Sequence, residues 1–488
     1  DTHPIPDRGA ELRPDTHYDV VVVGAGLTGV ATAVLLARRG VPVGLVEART
    51  LGAVATGNTT AKLSLLQGDL LSRLWRVQGE EVLRAYVEAN RAGAEWLRDV
   101  LAGRGSEVRT AYTCANSAAG LRVLDAELQA CERAGLPVEW SEETGLPYDV
   151  AGAISLRDQA QVHPTLMLDL LQEELLAHGG VIHTGTRVQD VKVDATGVRI
   201  ATTGGELRAG DVVLATGTPI LDRGGHFARV KAERSYVLAF RGLSDLPQGM
   251  YLSVDHPSRS LRTAPGPDGE VLLVGGNGHD TGRGGSPRRR VADLESWTAG
   301  VFPGATRTHA WSAQDYAPAA GMPLVGVLPW SRGRIQVATG YHKWGMANAV
   351  AAALQLAGKL VGDVPGWARV LHDAHGPGLG EAGRFTAVVA ARMTTGWVAA
   401  ETRALHRNPP AEGDGEVGRS SGRPAARSTV NGRTCTVSAV CTHLGGVLAW
   451  NDLEKSWDCP LHGSRFDASG RVLEGPAVRD LDVCSGDA

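Results

Sequence analysis

Tyr18-Asp-Val-Val-Val-Val-Gly24-Ala-Gly26-Leu-Thr-Gly29 is the stretch that decides the fold. Its run of valines reads as a parallel strand buried on both faces, and the glycines then open a helix expected to run through Leu36. In this G-x-G-x-x-G spacing Gly24 turns the chain, Gly26 lets the backbone approach a pyrophosphate, and Gly29 packs helix against strand. Leu27 and Thr28 begin the helix, where free N–H groups and the helix dipole favour an anion. A second strand, Pro42 to Val46, ends in Glu47, placed to hold a ribose hydroxyl, with Ala48 and Arg49 next along. Strand, helix and acidic residue in register predict a dinucleotide site, without separating FAD from NAD.

Two later segments make that separation. Asp211 to Gly217 is another apolar strand, stopping at Ala215-Thr216-Gly217, as a late strand of an FAD domain does. Arg334 to Met346 again ends a strand in a glycine turn at Gly340, and an Ala-rich helix, Asn348 to Leu360, follows. Such a helix points its positive end at a flavin. No second G-x-G-x-x-G follows an apolar strand to suggest a separate nicotinamide domain, and Gly275-Gly276-Asn277-Gly278 reads as a loop.

Between these pieces lie two insertions, roughly Leu70 to Gln161 and Gly225 to Asp315. The first opens with charged amphipathic helices and the second mixes β-rich runs with glycine loops, the composition of a substrate domain lying over a flavin. Arg384 to Leu405 reads as a helix with Val388, Ala391, Met393 and Val398 on its apolar side, bracing the back of the FAD domain. Ala404 to Gly415, with Asn-Pro-Pro and Gly-Asp-Gly, has the composition of a linker. From Glu416 onward, short runs separated by Asn-Gly-Arg predict a small β-domain.

That last domain carries Cys441-Thr-His443-Leu-Gly-Gly and Cys459-Pro-Leu-His462-Gly-Ser-Arg-Phe. Cysteine and histidine alternate on two glycine-flanked loops, and a Rieske [2Fe–2S] centre needs this set: two thiolates on one iron, two imidazoles on the other. A Cys₂His₂ zinc site is the alternative, but its usual order places both cysteines first. The remaining cysteines, Cys114, Cys131, Cys435 and Cys484, read as free thiols. His372 and His375 sit in a Gly/Pro-rich tail that argues against a second metal site.

The bulk properties agree with a globular enzyme. The 488 residues have room for about three domains. A net charge of −4 with both signs interspersed gives no nucleic-acid footprint. No apolar run has the length of a membrane span, and six cysteines in so long a chain do not make a disulfide framework. A reducing cytoplasm is the expected location; the oligomeric state is not legible.

From Tyr18 to about Leu405 the chain resembles the glycine oxidase/D-amino-acid oxidase superfamily of FAD-dependent oxidoreductases. With its C-terminal module it is similar to the bacterial members that carry a fused Rieske domain. Thr56-Gly-Asn-Thr-Thr-Ala-Lys62, Gly275-Gly276 followed by His279-Asp-Thr-Gly, Trp311-Ser-Ala-Gln-Asp-Tyr316 and Lys343-Trp-Gly-Met346 carry the likeness, with Gly475-Pro476-Ala477 in the last module. The resemblance implies an α/β Rossmann-like FAD-binding domain, an inserted α+β antiparallel-sheet substrate domain, and a small all-β C-terminal Rieske domain. The expected boundaries are an extension at 1–17, FAD-binding pieces at 18–69, 162–224 and 316–403, substrate pieces at 70–161 and 225–315, a linker at 404–415 and the Rieske domain at 416–488.

The resemblance implies FAD contacts at Thr59, Thr60, Ala61, Lys62, Val188, Thr216, Gly217, Gly340, Lys343, Trp344, Gly345 and Met346, besides those of the first glycine turn. It implies cluster ligands at Cys441, His443, Cys459 and His462, with the histidines as the more exposed edge. Respiratory relatives add a cysteine to each loop and a tyrosine after them; here Gly446, Leu461 and Phe466 stand there, while Ser464 is kept. Fewer donors to sulfur imply a cluster low in the Rieske range of about −150 to +300 mV. Gln67 stands where the family pattern expects a histidine.

A flavin takes a hydride as two electrons, and an iron–sulfur cluster handles one at a time. The expectation is therefore oxidation of a small molecule, amine or amino-acid-like, with single electrons relayed through the cluster to an external carrier such as a ferredoxin. The reverse flow uses the same parts, and an oxygen-using oxidase with a sensing or docking module is a further alternative. Candidate catalytic residues are His279, Tyr341 and Lys343, all in glycine turns that the resemblance places near the flavin.

Overall fold

The computed structural model describes residues 3–13, 16–374 and 379–484. Its first sheet is built on the valine run. The strand His17–Val23 lies between Gly205–Leu214 and Val43–Val46, parallel to both, and Ile335–Thr339 and Val181–His183 extend the sheet on either side. Antiparallel Leu324–Val327 closes one edge. The helices Leu27–Ala37, Pro164–Ala177 and Gly345–Val361 cover one face around Val30, Val34, Leu168 and Val350, all fully buried. Gly24 has φ +101°, and a Cβ on Gly29 would lie 1.8 Å from the Gly24 carbonyl oxygen. Only glycine lets the helix start this close to the strand.

The two insertions meet in one nine-stranded, mostly antiparallel sheet, in which Ser106–Ala115 from the first lies between its own neighbour Gly152–Val162 and Met250–Ser253 from the second. The helix Glu80–Leu101 does not belong to that layer alone. Its Ala94, Leu97, Val100 and Leu101 pack into the core of the first sheet, because its apolar stripe faces the helix Gly345–Val361.

Gly275 to Gly278 were expected as a loop and instead lie inside the strand Gly269–Asp280, paired with Val230–Arg241. Asn277 at φ +53° marks the irregularity there. A strand next to a cavity tolerates glycine where another backbone or a ligand comes close.

The last module folds as a three-stranded sheet (Gly415–Ser420, Arg423–Val430, Arg433–Ser438) and a four-stranded one (Ala449–Asn451, Ser456–Asp458, Arg465–Asp467, Val472–Glu474). The helix Leu379–Thr402 packs on this module, not across the back of the first sheet. Trp397 Nε1 donates to the Gly445 carbonyl at 2.9 Å, and Val389 and Ala400 join the module's core. Ala391, Met393 and Val398 are exposed, so the apolar side read from the sequence is not the buried one; the side chain of Val388 lies outside the described ones. His375 also lies outside the described residues. Among the described residues no helix is long and apolar enough to cross a membrane.

Candidate active site and iron–sulfur centre

A cavity of about 1000 Å³ runs between the first sheet and the nine-stranded sheet. Every cofactor candidate named above lies on its wall except Gly29 and Ala61, which are packed behind it. The helix Leu27–Ala37 opens onto it at Gly26, and Glu47 faces the same end. The Glu47 carboxylate accepts from the N–H groups of Ala25 and Arg49, both at 2.8 Å, so it is fixed before any ribose arrives. Burial pushes its pKa up against those two bonds. A long, part-polar groove with a glycine turn and a buried carboxylate at one end suits an extended dinucleotide.

At the other end Gly340, His342 and Lys343 all take left-handed backbone conformations, with φ +83°, +46° and +71°. Two consecutive non-glycine residues in that region are strained, and such strain persists where surroundings over-determine it. Here the His342 N–H donates to the Tyr316 carbonyl at 3.2 Å, the Lys343 N–H donates to the Asp315 carboxylate, and Tyr341 Oη bonds Thr28 Oγ1 at 2.8 Å. The turn leads into Gly345–Val361, whose N-terminus directs positive potential into the cavity.

Asp315, within the Trp311–Tyr316 motif, is the residue that holds this turn. Burial pushes its carboxyl up to about 7. It stands across from Glu233 on the neighbouring strand, and both line the cavity with Tyr236 and Ser235. No local spacing pairs Glu233 with Asp315; only the strand register does.

His279 does not reach the cavity wall. Its Nε2 bonds Tyr236 Oη at 2.8 Å, its Nδ1 bonds the Asp280 carbonyl oxygen at 2.8 Å, and its ring stacks on Tyr236. Burial lowers its pKa. It stands behind Tyr236, the side chain that does face the cavity. Tyr341 and Lys343 are on the wall. Lys62, on the edge strand Lys62–Leu63 of the nine-stranded sheet, reaches over that sheet, its Nζ donating to the Tyr251 carbonyl at 2.6 Å, and burial with Arg262 nearby lowers its pKa to about 7. Gln67 forms a closed ring of buried amides and hydroxyl with Tyr86, Asn90 and Asn348, under the start of the helix Gly345–Val361.

In the last module the four candidate ligands meet as two pairs. Cys441 and Cys459 are buried free cysteines in hydrogen-bond contact, and that contact draws the Cys441 thiol down to about 7. The rings of His443 and His462 lie 5.2 Å apart, edge to face. The Nδ1 atoms of both are buried without a hydrogen-bond partner. Among the described residues no three such side chains converge on a single ion. Two thiols, and two imidazoles with orphaned inner nitrogens, fit a two-iron centre with two ligands on each iron. Backbone bonds from Gly445 to Cys441 and from Gly463 to Cys459, both at 3.1 Å, shape the two loops alike.

The histidine edge is not exposed. The His443 side chain is 6% exposed and His462 as a whole 7%, because residues between Thr218 and Val230 of the first domain lie against them. One strip of the module, Leu473 to Val478, separates the two sites: Gly475 and Ala477 line the large cavity, while Pro476 lines the small one beside the histidines. The segment Thr216 to Asp222 does the same from the other side, with Gly217 and Ile220 toward the large cavity and Thr218 and Asp222 toward the histidines.

Comparison with known proteins agrees with this division. The family model "FAD dependent oxidoreductase" (DAO) matches residues 19–403, and the "Rieske [2Fe-2S] domain" model matches residues 393–485. The chain is 29% identical to the "Putative Rieske 2Fe-2S iron-sulfur protein YhfW" of Bacillus subtilis (strain 168), over 96% of this chain and 94% of that protein. Among solved structures it is similar to glycine oxidase from Geobacillus kaustophilus (TM-score 0.60, 21% identity, 72% of this chain and 96% of that one). It is similar also to L-proline dehydrogenase from P. horikoshii (TM-score 0.60, 15% identity, 74% and 98%). At these identities the solved structures speak for the fold alone.

Proposed function

The chain belongs to the DAO family of FAD dependent oxidoreductases and carries a C-terminal Rieske [2Fe-2S] domain, and from that premise we propose that it oxidises a small amine or amino-acid-like molecule at a C–N bond and passes the electrons singly to an external carrier. Bound FAD supplies a hydride acceptor, and the Rieske cluster supplies a one-electron carrier. The observation that carries this reading is the shared wall: Gly475, Pro476 and Ala477 are three consecutive residues, and they border both sites. Neither a mobile arm nor a second subunit is needed to bring the two together.

The chain's own residues then divide the work. Gly24 to Thr28 and Glu47 hold the pyrophosphate and ribose end. Lys343 and the N-terminus of Gly345–Val361 bring positive potential to the other end. Tyr236, held in place by His279, and the carboxylates of Glu233 and Asp315 face the space left for a substrate. A carboxyl near 7 can take or give a proton at neutral pH, which suits oxidation of an amine that must first lose one. The names of glycine oxidase and L-proline dehydrogenase, which share the fold, support a C–N substrate.

The test is His462→Ala in the full chain, since removing the module would also remove a wall of the FAD cavity. A panel of amines and amino acids is first screened anaerobically for bleaching of the flavin. With the substrate so found, the variant is expected to keep flavin reduction and to lose turnover with a one-electron acceptor. Full turnover in the variant, or stoichiometric peroxide in the wild type, would sink the relay.

A further inference from the structure

The two histidines are not equivalent. His443 Nε2 lies 2.8 Å from Asp222 Oδ1. Asp222 is carried not by the cluster module but by the segment that follows the strand Gly205–Leu214 of the FAD domain. His462 has neither ring nitrogen hydrogen-bonded; its ring stands edge-on to Phe227, 5.7 Å away.

The bond has a fixed direction. The inner nitrogen of His443, Nδ1, is buried and unpartnered, as a metal ligand's lone pair requires. A neutral imidazole that ligates through Nδ1 carries its proton on Nε2. Nε2 therefore donates and Asp222 accepts. A ligand imidazole that donates its outer N–H to a carboxylate is oriented by it and becomes a more basic, more electron-rich ligand. The carboxylate charge also opposes adding an electron to the iron beyond the ring. Asp222 is 42% exposed, which weakens the bare charge effect, but the His443 side chain is only 6% exposed and the contact is direct.

We infer that Asp222 is a positioning residue for the cluster: by holding His443 from the FAD domain, it lowers the cluster's potential and secures its iron. The FAD domain thus sets the potential of the centre docked on it. The assignment rests on the cluster alone and holds whether or not the cluster relays electrons in turnover.

The experiment measures the cluster's midpoint potential in the full-length holoprotein, by redox titration followed by electron paramagnetic resonance of the reduced cluster. Asp222→Asn and Asp222→Ala are expected to raise the potential and shift the g-values, and Asp222→Glu to restore both. The flavin's potential should not move. Release of iron to a chelator should quicken by about tenfold or more in Asp222→Ala, the usual scale for losing such a partner. Phe227→Leu serves as the packing control, since it changes the wall beside His462 and leaves the Asp222 bond in place. An unchanged potential in both Asp222→Asn and Asp222→Ala overturns the inference. So does a rise in Phe227→Leu as large as in Asp222→Asn, because packing alone would then account for it.

Discussion

Arg234, on a strand of the substrate sheet, and Glu474, in the cluster module, stand 3.6 Å apart with side chains 2% and 8% exposed. Arg234 also pairs with Glu454 at 3.0 Å, and Arg465 joins Glu454, Asp458 and Glu474 from the module's side. Two guanidinium groups thus sit among three carboxylates at a dry domain boundary. Arg283 adds bonds from the substrate domain to the Pro460 carbonyl, inside the second ligand loop. The module is fastened next to the ligands themselves.

Removing one partner of a buried ion network leaves its charges unpaired, which costs about 3–5 kcal/mol. Arg234→Met is therefore expected to destabilise the full chain by about that much in denaturant unfolding. Adding Glu474→Gln should recover part of the loss, because it removes a carboxylate left without its cation. A double mutant no more stable than Arg234→Met would show that the two residues do not act as a pair.

Glu47 spends both carboxylate oxygens on backbone N–H groups and faces the cavity at its glycine-turn end. Glu47→Gln keeps the shape but replaces one acceptor with a donor, opposite an N–H. FAD retention should fall on the order of tenfold or more, as the loss of a charge-assisted bond implies. Fluorescence titration of the apoprotein with FAD measures it, and unchanged affinity would remove Glu47 from the cofactor site.

The Asp315 carboxyl is pushed up from its ordinary 3.8 to about 7 by burial. Between those values the folded apoprotein keeps a proton that the unfolded chain has released. Its contribution to stability is present at low pH and lost as pH rises through about 7, a change on the order of 2–4 kcal/mol. Denaturant unfolding of the apoprotein from pH 4 to 8 should give a downward slope that Asp315→Asn flattens. Parallel profiles for variant and wild type would contradict the shift.

Ser464 accepts from the Ala477 N–H at 3.0 Å and its hydroxyl reaches Cys441. A hydrogen bond toward a ligand sulfur raises a cluster's potential. Ser464→Ala should lower it by about 40 mV, taking about 1 kcal/mol for the bond and 59 mV per 1.4 kcal/mol for one electron. Redox titration decides, and an equal or higher potential would count against the donor role.

Chemistry confined to a few neighbouring residues was legible in the chain. The glycine turn, Glu47 and the alternating Cys/His loops were readable because a turn, a helix start or a ligand loop needs its residue types at fixed short offsets. The helix Leu379–Thr402 was readable as a helix, but not the face it buries, since Trp397 and Val389 have their partners in a module that follows it. His279 was drawn to the flavin by its glycine neighbours, whereas strand pairing sets it behind Tyr236.

By itself the sequence determined which cofactors the chain is built for, because each is held by groups that sit close together along the backbone. The tertiary structure alone decided how those cofactors are related. Asp222 reaches His443 across 221 residues, and Arg234 reaches Glu454 across 220. Contacts of that span depend on how domains dock, and docking is set by buried surfaces and charges that no local pattern encodes.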